Sequence, residues 1–239
     1  MTVHTHSPPP ALRADLALVP WLRDLPAPLM DHLAAHTNRV HLQDGEPVSR
    51  RGQFLTHLVI ITQGRLAMHI IGRTGRRHVL GQLQRGQVFG LIPVVEQSSG
   101  IYNAQAQGAS EVLLLEGDAF MHVLNQHMPL ARALIEVLCA RSRRLQDFLA
   151  ARNLYPLSGQ LAVLLLNAAQ LHGVEGTLDD SAIELKVAQS DLADMLGVSR
   201  QSLNTEIKKL EALGLLNVAY SKVHIPNVPR LKDWLAAQE

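Results

Sequence analysis

The chain has 239 residues, with 22 Lys and Arg against 21 Asp and Glu, and a formal net charge of +1. Hydrophobic residues make up 47% and charged residues 18%, which excludes a disordered chain and allows two domains with real cores. The single cysteine, Cys139, excludes a disulfide framework, an iron–sulfur cluster held by four cysteines and a cysteine zinc site.

The N-terminus, Met1-Thr-Val-His-Thr-His-Ser-Pro-Pro-Pro10, has no basic start followed by an apolar run, so no signal peptide is expected. Its three prolines and small polar neighbours predict a disordered leader over residues 1–15. Residues 16 to 37 carry helical apolar spacing through Leu18, Leu22, Leu25, Leu29 and Leu33, cut into short pieces by Pro20, Pro26 and Pro28.

From Val40 to Glu116 the pattern changes. Short β-rich runs over 57–62, 65–71, 77–80 and 111–115 alternate with turn glycines, and predict an antiparallel barrel or roll. Asp44-Gly45, Gln63-Gly64 and Thr74-Gly75 are the expected tight turns. After Pro129 the period returns to helical: Leu130, Leu134, Val137, Arg141, Leu145, Phe148 and Arg152 follow at alternating threes and fours. That stripe reads as the seam of a dimer helix over 129–154, with packing on its own roll as the alternative. Tyr155-Pro156-Leu157-Ser158-Gly159 is the expected hinge.

A buried helix over 160–172, a polar loop through Gly173, Gly176, Asp179 and Asp180, and a short strand over 182–185 are expected next. No apolar stretch approaches the roughly 20 residues a membrane span needs; the most apolar one covers 161–171. A cytoplasmic protein with no membrane role follows.

Residues 189–211 carry the chemistry. Leu192, Ala193 and Leu196 place apolar groups on one face of a short helix, and Gly197 supplies a turn that needs positive φ. Ser199 stands where an N-cap belongs, and Leu203, Ile207 and Leu210 anchor a second helix. Arg200, Gln201, Asn204, Thr205 and Lys208 are left outward near the helix start, where base edges and phosphates are met. Residues 214–225 have the pattern of a β-hairpin wing, which brings in Lys222. The local charge is positive, but residues 155–239 hold seven Lys and Arg against ten Asp and Glu, a net of −3, with +4 on the rest. A generic electrostatic DNA binder would be arranged the other way, so binding would rest on specific placement by a dimer.

In this order, roll, long helix, hinge and winged helix-turn-helix, the chain resembles the Crp/Fnr family of bacterial transcription regulators. The most specific pieces are Leu192-Ala-Asp-Met-Leu-Gly-Val-Ser-Arg-Gln-Ser-Leu-Asn204, Leu210-Glu-Ala-Leu-Gly-Leu-Leu216 and Gly86-Gln-Val-Phe-Gly90. The resemblance implies an α+β chain: an antiparallel β-roll sensor over 16–128, the dimerisation helix, and a winged helix-turn-helix over 155–239. It implies a homodimer on double-stranded DNA at a palindromic operator, with RNA polymerase as a further partner. By the same resemblance Ser199 would contact a phosphate, Arg200 would read guanine and Gln201 another base. Thr205 stands where many members have a second base-reading arginine, and departs from that pattern. Cyclic-nucleotide members hold the ribose with a glutamate and the phosphate with an arginine; the matching effector-pocket positions here are Gly90-Leu91 and Gly100-Ile101. Without that carboxylate and that cation, cyclic AMP is not the expected ligand, and the effector is left unassigned.

Twelve histidines, among them His57, His69, His78, His122 and His127, leave haem open as a cofactor, although no spacing specifies a metal. Arg73, Arg76 and Arg77 read as a solvated hairpin tip, with an anion-sensing or polymerase-facing patch as the alternative. No P-loop, nucleophile elbow, His-Glu-x-x-His or dinucleotide fingerprint occurs, so an enzyme is not expected. The rival to a DNA-binding regulator is a ligand-binding module that acts through a protein partner.

Overall fold

The computed structural model describes residues 9–72, 75, 77–172, 182–219 and 222–238. The chain divides into two compact units, Met1–Val137 and Leu138–Glu239, so the division falls inside the long helix rather than at its end.

The first unit opens with three short helices, α1 (Pro9–Leu16), α2 (Pro20–Arg23) and α3 (Ala27–Ala35). Pro20 starts α2 and Pro26 precedes α3, positions where a missing N–H costs nothing. The expected disordered leader is corrected here from Pro9 onward. Leu12 and Leu16, one helical turn apart, are 4% and 0% exposed, and that burial outweighs the prolines.

Strands β1 (Thr37–Leu42), β2 (Pro47–Ser49), β3 (His57–Gln63), β4 (Leu66–Ile71), β5 (Arg77–Leu83) and β6 (Val88–Phe89) follow. Helix α4 (Leu91–Glu96), strands β7 (Asn103–Ala106) and β8 (Ser110–Glu116), helix α5 (Gly117–Gln126) and the start of α6 (Met128–Leu154) complete the unit. The strands form two antiparallel four-stranded sheets, ordered β1-β8-β3-β6 and β2-β7-β4-β5. One core, with Val40, Val59, Ile61, Leu66, Phe89 and Val112, fills the roll. A second, with Leu33, Leu58, Ile60, Leu113, Leu115 and Phe120, packs α1–α5 against the opposite face of the first sheet. Alternating side chains on β3 feed both cores, which is why that strand is apolar from Leu58 to Ile61. The one buried acid in this sheet, Glu111, accepts hydrogen bonds from Arg39 and from Thr62 Oγ1, so its charge is not left unpaired.

The second unit continues α6 and adds α7 (Leu157–His172), β9 (Ile183–Leu185), α8 (Gln189–Leu196), α9 (Arg200–Ala212), β10 (Asn217–Ala219), β11 (Lys222–Ile225) and α10 (Val228–Ala236). The interruption before α7 is shorter than the expected hinge, because Leu157, Ser158 and Gly159 are already helical. Strands β10, β11 and β9 form an antiparallel sheet in that order. Leu161, Leu165, Leu192, Leu196, Leu203, Ile207, Leu210 and Leu231 build its core. The polar loop over 173–181 and the wing tip, Tyr220 and Ser221, lie outside the described residues, as do Arg73, Thr74 and Arg76. No helix among the described residues is long and apolar enough to cross a membrane.

Candidate nucleic-acid interface

Helices α8 and α9 are joined by Gly197, Val198 and Ser199. Gly197 takes φ +72°, a left-handed conformation that closes α8 while the Val198 N–H returns to the Ala193 carbonyl at 3.0 Å. Ser199 is the N-cap of α9: its Oγ accepts from the Ser202 N–H at 3.1 Å. Leu203, Ile207 and Leu210 are buried at 0%, 2% and 0% exposure, which fixes the rotation of α9 about its axis.

That rotation leaves Arg200, Gln201, Asn204, Thr205 and Lys208 exposed. The side chains of Arg200, Gln201, Asn204 and Lys208 make no hydrogen bond or ion pair among the described residues, so their full donor and acceptor capacity faces outward. Thr205 Oγ1 donates to the Gln201 carbonyl oxygen at 3.1 Å. Lys209 is paired with Glu206 at 2.8 Å. Lys222 on β11 is paired with Glu184 on β9 at 2.8 Å, and this hydrogen bond holds the Glu184 carboxyl below its ordinary value. Lys222 is therefore tied across the wing sheet instead of standing free, a partner that sequence spacing does not reveal. The wing is set against α9 by the Glu211 carboxylate, which accepts from the Val218 N–H at 2.8 Å. Arg230 donates to the Leu213 carbonyl at 2.9 Å and anchors the end of α9 to α10.

The expected helix seam needs correction. Leu130 and Leu134 are 2% and 5% exposed inside the core of the first unit, and Phe148 packs against the core of the second. Val137 and Arg141 are half-buried, and burial together with Arg144 holds the Arg141 guanidinium below its ordinary value. Of the apolar residues of the expected seam, only Leu145 is largely exposed, at 59%. The outward stripe runs instead through Ile135, Leu138, Leu145 and Leu149, at 61%, 40%, 59% and 53% exposure.

The effector-pocket positions do not form a nucleotide cradle. Gly90, at φ +93°, is the N-cap of α4, and a Cβ there would meet Leu55 at 2.7 Å and the His57 carbonyl at 2.9 Å. Leu91 is 3% exposed and belongs to the core beneath the helices, not to the roll interior. Gly100 donates to the Gln53 carbonyl at 2.7 Å and accepts from Gly52 at 2.8 Å. Ile101 is 37% exposed. None of the four has a carboxylate or a cation in its side chain.

The histidines named for haem are dispersed. His57 Nδ1 bonds Thr56 Oγ1, His69 is buried on β4, His78 is exposed on β5, and His127 ends α5. His122 instead lies beside His32 of α3, with ring centroids 5.1 Å apart, and His32 in turn lies 4.5 Å from the ring of His36, the C-cap of α3. Among the described residues, no group of three or more His, Cys, Asp or Glu is placed to hold a metal ion.

Comparison with known proteins matches residues 39–127 to the cyclic nucleotide-binding domain and residues 159–234 to the Crp-like helix-turn-helix domain. The chain is 33% identical over 155 residues to the HTH-type transcriptional regulator Cmr of Mycobacterium tuberculosis, a match covering 65% of this chain and 59% of Cmr. It is 23% identical over 202 residues to the nitrogen fixation regulation protein FixK of Bradyrhizobium diazoefficiens, covering 83% and 82% of the two chains. The structure of FixK2 from Bradyrhizobium japonicum shares the fold at a TM-score of 0.67 and 17% identity, covering 82% of this chain and 96% of that one.

Proposed function

The chain belongs to the Crp/Fnr family of transcription regulators, whose Crp-like helix-turn-helix binds DNA, and from that premise we propose that it works as a homodimer on a two-fold symmetric operator. One α9 enters the major groove of each half-site. The observation that carries this reading is the exposed first half of α9, where Arg200, Gln201 and Asn204 spend no side-chain donor or acceptor on the described residues. Arg200 pairs with guanine O6 and N7, Asn204 with adenine N6 and N7, and Gln201 with a further base edge. Ser199 and Lys208 contact phosphates, aided by the free N–H groups at the start of α9.

The outward stripe of α6 supports the dimer. Ile135, Leu138, Leu145 and Leu149 follow at steps of three, seven and four along one helix, and such a row on a lone chain would leave apolar side chains in water. The effector, if the roll takes one, is not cyclic AMP, because Leu91 and Gly100 replace the groups that would hold it. The protein acts in the cytoplasm, where it meets DNA and RNA polymerase.

The test is Arg200→Ala in the full chain, measured by fluorescence anisotropy on a selected operator. Binding weakens, and preference relaxes at one guanine per half-site, by about 1–3 kcal/mol. Unchanged affinity and specificity would overturn the assignment of α9 and leave a module that acts through a protein partner.

A further inference from the structure

The hydroxyls along the front of α9 are not equivalent to its amides and cations. Ser199 Oγ caps the helix and lies 2.8 Å from Ser202 Oγ, so one hydroxyl proton is spent between the two and one is left for a phosphate. The proton of Thr205 is spent on the Gln201 carbonyl, one turn back, at 3.1 Å. A threonine hydroxyl has a single proton, so Thr205 has none left to donate to a base. Its Cβ is tetrahedral and staggered; with Oγ1 turned toward the preceding turn, the Cγ2 methyl is the group left for the outside. Thr205 is exposed, and it shares one helix face with Gln201 four residues before and Lys208 three residues after. The base-edge feature that a methyl group recognises in the major groove is the 5-methyl of thymine.

We propose that Thr205 reads a thymine in each half-site through methyl–methyl contact, so that specificity at this position comes from an apolar contact and not from a hydrogen bond. The inference rests on the DNA-binding role of α9 argued above. It makes the departure at Thr205 a change of the base read, from one that an arginine would pair with to one that a methyl covers.

The experiment uses the full chain and an operator obtained by selection from random duplex DNA. Each thymine of the half-site is replaced in turn by uracil, which removes the 5-methyl and leaves every hydrogen-bonding group in place. At one thymine per half-site, uracil should weaken wild-type binding about fourfold, the factor expected for one methyl group withdrawn from an apolar contact. Thr205→Val keeps the methyl and should show the same sensitivity. Thr205→Ser keeps the hydroxyl alone and should bind thymine and uracil duplexes equally. If uracil is harmless at every position, or if Thr205→Ser remains sensitive, the inference is overturned while the DNA reading stands. A chain that enriches no sequence overturns the DNA reading, and this inference with it.

Discussion

Leu134 and Ile135 adjoin in α6 and occupy opposite environments: Leu134 is 5% exposed within the core of its own unit, whereas Ile135 is 61% exposed. One helical step of 100° separates a residue that holds the fold from one free to meet another chain. The two rows they belong to, Leu130–Leu134–Val137 and Ile135–Leu138–Leu145–Leu149, both run along the helix at steps of three, four or seven.

A charge on the outer row should therefore separate the dimer without unfolding the chain. Ile135→Glu or Leu145→Glu is expected to give monomers by light scattering, with the thermal midpoint of the roll kept. Leu134→Ala should do the reverse, costing about 2–5 kcal/mol of stability while leaving the oligomeric state unchanged. Dimers that persist with both outer-row variants would mean that α6 is not the seam.

Ser199→Ala removes the hydroxyl that caps α9. The expected cost is about 1 kcal/mol, seen as faster amide exchange in the first turn of α9. An exchange pattern unchanged at Ser202 would show that water replaces the cap without loss.

Acid should loosen the first unit through the His32, His36 and His122 group. Burial, then His36 and His122, hold the His32 pKa below its ordinary 6.5, and its Nε2 is enclosed without a hydrogen-bond partner among the described residues. The folded state thus binds fewer protons than the unfolded one. The stability supplied by neutral His32 is complete above 6.5 and is lost as pH falls through 6.5 toward the lower folded value. Urea midpoints of the roll between pH 7.5 and about 5 should fall less steeply for His32→Leu than for the wild type. Equal slopes would remove His32 from the account.

Leu91→Glu introduces a carboxylate at the start of α4. Since Leu91 is 3% exposed in an apolar cluster, the new charge has no partner there. The expected result is a loss of about 3–5 kcal/mol of stability and no heat of binding with cyclic AMP by calorimetry. A variant that stays folded and takes up cyclic AMP would show that this helix can turn its side chains toward the roll.

The recognition element was legible because local chemistry alone determines it. Ser199 at the cap, Gly197 at a left-handed turn and the spacing of Leu203, Ile207 and Leu210 each have one physical solution. The rotation of α6 was not, since two apolar rows satisfy helical spacing equally well and only the three-dimensional core decides between them. The first helix was obscured by Pro8-Pro9-Pro10, although Leu12 and Leu16 carried its signal. The chain reversal that brings β1 beside β8 is likewise nonlocal: Thr37-Asn38-Arg39 is polar, and Arg39 becomes half-buried because Glu111 and Asp15 meet it there. The same holds for Lys222, whose partner Glu184 lies across a strand pairing.

The most direct test of the central claim is selection of bound sequences from random duplex DNA by the full-length protein. The account predicts a two-fold symmetric motif whose half-sites lie about one helical turn apart, with a guanine in each half-site that loses its enrichment when Arg200→Ala is selected in parallel. No enriched motif, or a motif identical for wild type and Arg200→Ala, would contradict it.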